Sequence, residues 1–172
     1  KISLRIDWLE GISYANQTET CMYSGCDKNE DGNIKGYMEF SPLEVAQKSI
    51  LSIKQDVKLL TENIVSKGCV GVDKTLKKYG LKSEDIDYIL PHMSSNFFKD
   101  KIYNGLKDTG NYFPYEKWFT NLTEVGNVGA ASVYMMVHEL LNSNKLKPGE
   151  KILLLVPESA RFSYMFGLLT VC

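Results

Sequence analysis

The first residues of the chain alternate between apolar and polar positions. Ile2, Leu4 and Ile6 fall on one side of an extended segment within residues 2–15. A period of two is typical of a strand, so we predict a strand here that runs into a loop. Residues 16–41 are polar and rich in Gly, Asp, Asn and Glu, which predicts a surface loop or hairpin.

A long apolar stripe follows. Ser41-Pro42 suits a helix start, because Ser caps the first turn and Pro fits the first helical position. Apolar residues then recur three or four positions apart, at Ala46, Ile50, Ile53, Val57, Leu60 and Ile64. This spacing predicts one long helix with a buried face. We expect Gly68 and Gly71 to interrupt it, and a second helical piece over 72–79 to end at Gly80.

From residue 87 onwards, short apolar runs alternate with helical patterns. We predict strands at 87–90, 118–119, 152–156 and 163–171. We predict helices over 94–106 and 127–142; the second is apolar nearly all round and should be buried. Alternating elements predict an α/β fold with a mostly parallel sheet between helical layers.

The bulk composition excludes several classes of protein. The 172 residues are 44% apolar and suit one domain, or one half of a larger protein. The net charge of −1 gives no nucleic-acid footprint. No apolar run reaches the ~20 residues of a membrane span. We therefore expect a soluble cytoplasmic protein that binds neither nucleic acid nor membrane. The start at Lys1, with no signal peptide, is consistent with a fragment.

The four cysteines are Cys21, Cys26, Cys69 and Cys172. Their spacing forms no paired zinc motif, so we expect reduced thiols and no metal. A nucleophilic cysteine belongs at a helix N-terminus, where its pKa is lowered, and none of the four has that context.

Residues 27–34 match the first eight positions of a calcium-binding EF-hand loop. The loop needs a bidentate Glu at its twelfth position, which here is Met38. A polar hairpin tip explains the same residues, since Asp31-Gly32 favours a turn. We expect the hairpin.

Lysines cluster at two places, over 74–78 and over 99–107. Solvated helix faces account for both clusters. The functional alternative is a docking patch for an acidic partner.

Three segments are able to carry chemistry. His92 follows Leu90-Pro91 at the end of a predicted strand, where open α/β sheets gather their functional groups. Asn127 opens a predicted helix among small residues; it either caps that helix or donates a hydrogen bond into a site. Between the last two strands, Glu158 and Arg161 lie either in a solvated turn or at the mouth of a pocket.

Together the segments resemble a known family. The order is Pro91-His92 before a helix, then Gly126-Asn127 ahead of Ala130-Ala131-Ser132, then Lys147-Pro148-Gly149-Glu150 before an apolar strand, and Phe162-Ser163-Tyr164 in the last hairpin. This order is similar to the C-terminal half of β-ketoacyl-ACP synthase III, in the thiolase superfamily. The resemblance is firm over 80–172 and looser over 1–79. It implies a thiolase-like half-domain spanning 1–172, with α-β-α layers and a mixed, mostly parallel five-stranded sheet.

The resemblance also implies roles. His92 and Asn127 match the family's catalytic histidine and asparagine, which donate hydrogen bonds to the malonyl thioester oxygen as CO₂ leaves. Each such donor stabilises the developing charge by about 2.7–4 kcal/mol. The substrates would be an acyl-CoA and malonyl-ACP, with no cofactor. The acylated cysteine belongs to the family's N-terminal half, so this chain alone should be inactive.

The implied partners are the acyl carrier protein, the chain's own N-terminal half and a second subunit in a homodimer. Two alternatives stay open: a catalytically silent ketosynthase-like partner subunit, and a specialised acyltransferase or cyclase of secondary lipid metabolism.

Two stretches depart from the family pattern. Ser95 and Phe97 stand where the family has Asn and a carrier-binding Arg. The family's glycine-rich loop is replaced by residues 157–161, which include Glu158, Ser159 and Arg161. Because glycines allow close backbone approach, we expect their loss at 157–161 to reshape the acyl pocket. We assign Ser95, Phe97, Glu158, Ser159 and Arg161 to the substrate pocket; without the Arg at position 97, carrier docking would use other cations, such as Lys99 and Lys101.

Overall fold

The computed structural model describes residues 2–172, which form two compact units. The sheet unit comprises the described part of Lys1–Ile12 with Val65–Pro157 and Tyr164–Cys172. The hairpin unit comprises Ser13–Ile64 and Glu158–Ser163. Each unit is described by itself.

Eight strands and five α-helices follow one another along the described chain. The strands are β1 (Leu4–Ser13), β2 (Met22–Tyr23), β3 (Cys26–Lys28), β4 (Ile34–Gly36), β5 (Lys54–Gln55), β6 (Tyr88–Pro91), β7 (Lys151–Glu158) and β8 (Ser163–Val171). The helices are α1 (Pro42–Gln47), α2 (Val57–Lys78), α3 (Lys99–Asp108), α4 (Leu122–Val125) and α5 (Ser132–Leu141). Short 3₁₀ turns precede α3 and α5, at Asn96–Phe98 and Gly129–Ala131.

The main sheet has four strands in the order β1-β8-β7-β6. β6 and β7 are parallel, with Tyr88 opposite Ile152. Ser3 and Cys172 exchange two backbone hydrogen bonds, which is the pattern of an antiparallel pair between the first and last strands. β7 and β8 are neighbours joined by only four residues, so they too run antiparallel.

The predicted α/β class is confirmed, but the predicted five-stranded, mostly parallel sheet differs in detail. Within the four-stranded sheet of residues 2–172, one of the three neighbouring strand pairs is parallel. The fifth strand, predicted at 118–119, contributes only an isolated parallel bridge between Trp118 and Ile89. A single backbone bond, from Phe119 N–H to the Ile89 carbonyl at 3.0 Å, extends it.

The predicted helix starting at Pro42 is wrong in its length. It ends at Gln47, where Ser49 takes a positive φ of 50°, and the chain then pairs β5 with β2 before α2 begins. Ile50 is fully buried, whereas Ile53 is 77% exposed. The apolar stripe therefore serves two different elements instead of one helical face.

The prediction that Gly68 and Gly71 interrupt the helix is also wrong, because both lie inside α2. A Cβ on Gly68 would come within 3.0 Å of the Tyr164 ring, and one on Gly71 within 2.7 Å of the Phe166 ring. The glycines thus let α2 lie directly against β8. The helix ends as predicted at Gly80, which has a φ of +64°.

The core on the other face of the sheet is built around α5. Met136 and Leu140 of this helix are buried with Leu90 of β6, Ile152 of β7 and Leu169 of β8. The helix is shorter than predicted and is buried on one side only, since Tyr134 is 73% exposed. Its exposed side carries Tyr134 and Met135 together with His138 and Glu139.

The EF-hand-like segment of the hairpin unit is a hairpin, as expected. β3 and β4 pair antiparallel around a tip in which Gly32 has a φ of +83°. Asp27, the first ligand position of the motif, is paired with Lys54 at 2.8 Å instead. Within residues 2–172 no three His, Cys, Asp or Glu side chains converge as a metal site. The same residues include no helix with the length and apolarity that crossing a bilayer requires.

Candidate functional site

His92 lies immediately after β6, at the carboxyl end of the sheet. Its backbone N–H donates to the Leu155 carbonyl at 2.8 Å, which continues the parallel pairing of β6 with β7 by one residue. Pro91 and Met93 on either side are buried. The sheet therefore fixes the backbone of His92, as the strand-end prediction required.

The imidazole of His92 is half-buried. Loss of solvent around the ring lowers its pKa, because burial disfavours the charged form. Within residues 2–172 the buried Nδ1 atom has no hydrogen-bond partner. His92 is thus held neutral at physiological pH, with a single ring N–H to donate.

A small, shallow recess opens beside His92, here called the His92 recess, and it is partly open to solvent. Besides His92, its lining residues are Pro91, Met93, Thr120, Asn121, Leu122, Gly126, Ser132 and Met136. All of them belong to the sheet unit. The recess joins the end of β6 to the residues at both ends of α4 and to the first two turns of α5.

Asn127 is exposed, in the loop between α4 and α5, and does not open a helix as predicted. The break arises at Gly126, whose φ of +78° and ψ of −176° suit only glycine. The Oδ1 atom of Asn127 accepts the Gly129 N–H at 3.0 Å, and the amide NH₂ is the donor group of this side chain. Gly126 and Ser132 line the His92 recess, whereas Asn127 is not among its lining residues, so its role beside His92 stays a prediction.

Ser95 and Phe97 lie in the turn before α3. The Ser95 Oγ atom caps the turn by accepting the Phe97 N–H at 3.2 Å. The Phe97 ring is 60% exposed and carries the Lys101 ammonium 3.8 Å from its centroid. Neither residue lines the His92 recess, so their place in a substrate pocket stays a prediction.

Glu158, Ser159 and Arg161 belong to the hairpin unit. Glu158 accepts the Ala160 and Arg161 backbone N–H groups, Ser159 receives a 3.4 Å hydrogen bond from Gln55, and Arg161 donates to the Ala15 carbonyl at 2.8 Å. These contacts order a surface turn. None of the three lines the His92 recess, and their substrate role also stays a prediction.

Two of the cysteines are poor nucleophiles. Burial raises the pKa of Cys69 to about 12. Burial, and then the nearby Asp56 carboxylate, raise the pKa of Cys21. Both shifts oppose thiolate formation, and neither thiol is activated as a condensing cysteine requires.

The lysines at 74–78 are partly engaged in ion pairs. Lys77 pairs with Asp73 at 2.7 Å and Lys78 with Glu10 at 2.7 Å. These pairs favour the solvated-face interpretation of that cluster. The cluster at 99–107 instead places Lys99 and Lys101 over the Tyr115 and Phe97 rings.

Sequence reasoning missed Asn121 and Ser132 as members of the site. Asn121 is only 5% exposed, and its Nδ2 donates to Glu139 Oε2 at 2.8 Å. Ser132 is also buried, and its Oγ accepts the Val128 N–H at 3.3 Å. One sequence signal was available for Asn121. It lies three residues after Trp118 of the predicted strand at 118–119, just as His92 lies three residues after Ile89, which pairs with Trp118.

Comparison with known proteins identifies the region around the recess. Residues 76–157 match the family described as 3-oxoacyl-[acyl-carrier-protein] synthase III C terminal. This range contains both His92 and Asn127.

Similar proteins agree with this match. A β-ketoacyl-[acyl-carrier-protein] synthase III of Aquifex aeolicus is 35% identical over 81 residues, which cover 47% of this chain and 25% of that protein. A tetronic acid condensing enzyme aligns in structure with a TM-score of 0.70 at 18% identity, over 97% of this chain and 47% of the other. The β-ketoacyl-acyl carrier protein synthase III of Thermus thermophilus aligns with a TM-score of 0.68 at 17% identity, over 96% and 46%.

The chain thus spans less than half the length of the solved structures it matches, and its aligned part covers about a quarter of the Aquifex protein. The structural likeness establishes the thiolase-like fold, and the sequence match establishes the region. Residues 76–157 are similar to the C-terminal region of the 3-oxoacyl-ACP synthase III family, as the order of their motifs predicted.

Proposed function

We propose that the chain is the C-terminal part of a cytoplasmic condensing enzyme of the 3-oxoacyl-ACP synthase III type. Its reaction joins an acyl thioester to malonyl-ACP with loss of CO₂. The observation that carries the proposal is the half-buried His92 at the end of β6, facing a recess, with its pKa lowered by burial.

In the proposed step, the bond between the malonyl α-carbon and its carboxylate breaks. CO₂ leaves, and the electron pair moves onto the thioester oxygen to give an enolate. Neutral His92 and the amide NH₂ of Asn127 donate hydrogen bonds to that oxygen. Fixed donors in a desolvated site stabilise developing charge without reorganising.

The enolate carbon then attacks the acyl group carried on a cysteine thioester, and the cysteine leaves as a thiolate. That cysteine is assigned to the N-terminal half, since the buried thiols of Cys21 and Cys69 have raised pKa values. No resident cofactor or metal takes part in this scheme. Acyl-CoA and malonyl-ACP enter as substrates, and the acyl carrier protein is a transient partner.

Exposed apolar side chains on α5 and on the sheet beside it support the docking of a partner half. Leu9 is 56% exposed and Met165 is 44% exposed, and Tyr134 stands on the outer side of α5. Exposed apolar patches of this kind mark interfaces. We assign this face to the nucleophile-bearing N-terminal half, and we expect the complete subunits to form a homodimer.

A specialised acyltransferase or cyclase is the second candidate. The observation that favours it is the exposed Phe97 with Lys101 above its ring, at a position where the family resemblance implies an arginine. A lysine held over an aromatic ring presents one cation, without the bidentate fork of arginine. Such a change alters carrier or substrate choice and leaves the enolate chemistry in place.

The proposed function is tested in the full-length protein by following decarboxylation of malonyl-ACP and acylation of the cysteine separately. We expect His92→Ala to abolish decarboxylation while cysteine acylation stays measurable, and Asn127→Ala to act in the same direction. His138→Ala, on the exposed side of α5, is the matched control. Decarboxylation at the wild-type rate in the His92 variant would refute the assignment and favour a silent partner subunit.

A further inference from the structure

The side chain of Asn121 does not cap the helix that it precedes. It stands at the N-cap position of α4, where its backbone carbonyl accepts the Glu124 and Val125 N–H groups at 3.2 and 2.9 Å. Asn is a preferred residue there because its side chain normally caps the first turn. Here the side chain makes no capping bond. It reaches instead to the third turn of α5 and donates to Glu139 at 2.8 Å.

The same residue is tied to the strand that carries His92. Phe119, two residues earlier, donates its N–H to Ile89 of β6, and Trp118 forms the parallel bridge with Ile89. Asn121 is three residues beyond that bridge, as is His92 on the neighbouring strand. Both line the His92 recess. The backbone leading to Asn121 is therefore held against β6, while its side chain is hydrogen-bonded to α5.

The loop that carries Asn127 starts just after this junction. Gly126 ends α4 with a φ of +78°, and Val128 N–H donates to Ser132 Oγ on α5 at 3.3 Å. The loop is thus fastened to α5 at its far end by Ser132 and at its near end by the Asn121–Glu139 contact. Without the near contact, the hydrogen bonds described for α4 and Gly126 would be the backbone bonds of their own turn and the bond from Leu122 N–H to Thr120 Oγ1, none of which reaches α5.

We propose that Asn121 and Glu139 form a positioning pair that fixes the donor of Asn127 relative to His92, a role that rests on the proposed condensing activity. Neither side chain touches the reacting atoms in this assignment. The pair acts through the α4 turn, by holding it against α5 in register with β6. Two donors converge on one oxygen only if their loops are held to within a fraction of an ångström.

The pair is tested in the full-length protein with variants that break and then restore the hydrogen bond. Asn121→Asp places two carboxylates in opposition, and Glu139→Ala removes the acceptor from an exposed side chain with little risk to folding. Glu139→Gln keeps an acceptor oxygen. In the double variant N121D/E139Q, the glutamine amide donates to the aspartate carboxylate, so the hydrogen bond returns with donor and acceptor exchanged.

We expect Asn121→Asp and Glu139→Ala to lower the kcat of malonyl-ACP decarboxylation by about tenfold or more, because small misplacements near reacting atoms cost up to about 10²-fold. The KM and the rate of cysteine acylation should stay near wild type, as should the thermal midpoint of Glu139→Ala. Asn121→Asp buries a carboxylate, so its thermal midpoint is expected to fall. Glu139→Gln should keep most of the wild-type rate, and N121D/E139Q should recover most of the rate that Asn121→Asp loses. Glu124→Ala is the matched control, since it removes an exposed carboxylate from α4 itself.

An unchanged decarboxylation rate in both single variants would overturn the positioning role. A parallel loss of acylation, decarboxylation and thermal midpoint would overturn it as well, by revealing a purely structural contact. His92→Ala, measured in the same assays, distinguishes failure of the proposed function from failure of the positioning pair. If it retains decarboxylation, the proposed function fails; if it loses decarboxylation while Asn121→Asp keeps it, only the positioning pair fails.

Discussion

Gly71 of α2 lies directly beneath the ring of Phe166 on β8. A Cβ at Gly71 would stand 2.7 Å from Phe166 Cζ, which is closer than side-chain carbons approach one another. Both residues are buried. The absence of a side chain at Gly71 is therefore what allows the long helix to cover this face of the sheet.

Gly71→Ala should consequently destabilise the protein. Overpacking a filled core costs about 1–3 kcal/mol, and the gain in helix propensity from Gly to Ala offsets at most about 1 kcal/mol of that. We expect a net loss in the free energy of unfolding, measured by urea denaturation. Lys74→Ala, one turn along α2 on its exposed side, is the control and should change stability little. A Gly71 variant as stable as wild type would contradict the close packing.

Gly71 also illustrates what the sequence could and could not predict. The apolar pattern of the sequence predicted helical structure around Gly71 and the strand that contains Phe166 separately, because each element has its own apolar period. It did not predict that the glycine belongs inside the helix, since the reason is the Phe166 ring almost a hundred residues later. The break after Gln47 escaped prediction for a similar reason: the pairing of β5 with β2 overrides an intact apolar stripe.

In the candidate site, too, local features could be predicted from the sequence and contacts between distant residues could not. His92 was predictable because the end of an apolar strand is a local feature. The partnership of Asn121 with Glu139 was not, because an asparagine ahead of a short helix is ordinarily a cap. The position of Asn127 outside α5 depends on the positive φ of Gly126, which the helical apolar pattern conceals.

Burial of His92 should make stability depend on pH in a defined direction. Its folded pKa lies below the unfolded value near 6.5, so the unfolded state binds more protons once the pH falls through about 6.5. Above that pH, His92 is neutral in both states and its burial does not lower the free energy of unfolding. As the pH falls from about 6.5 to the folded pKa, the unfolded state is stabilised by protonation and the free energy of unfolding decreases. His92→Gln should therefore lose less stability than wild type between pH 7.5 and pH 5.

Urea denaturation at the two pH values measures this difference. His138→Gln serves as the control, because His138 is exposed on α5. Equal acid sensitivity in the wild type and the His92 variant would mean that the imidazole is not desolvated in the native state. Titration of the imidazole by NMR should locate its pKa below 6.5.

The cysteines should react with alkylating reagents in an order set by burial. Cys172 is exposed, whereas Cys21 and Cys69 are buried and have raised pKa values, about 12 for Cys69. Because the thiolate is the reacting species, iodoacetamide at pH 8 should modify Cys172 first. Mass spectrometry of a time course measures the order. Cys172→Ser should remove the fast phase, and fast labelling of Cys69 would contradict the assignment of the nucleophile to another half.

The apolar face beside α5 gives the last prediction. Alternate residues of β8 point to opposite faces of the sheet, so Gly167 and Met165 face away from α2. A Cβ on Gly167 would lie 2.9 Å from Leu9 and 3.4 Å from Leu154, and Leu154 packs against the core around α5. Leu9 and Met165 thus extend the α5 side of the sheet as exposed apolar surface.

If this face receives the N-terminal half, the 172-residue chain alone should bind a hydrophobic dye, and Leu9→Glu should reduce that binding. Val70→Glu is the matched control, because Val70 is an exposed apolar residue on α2, across the sheet. In the full-length protein the same Leu9→Glu change should bury a charge and lower the thermal midpoint, while Val70→Glu should not. Equal effects of the two substitutions in the full-length protein would place the partner half elsewhere. A charge tolerated at Leu9 in both settings would leave that face as ordinary solvent-exposed surface.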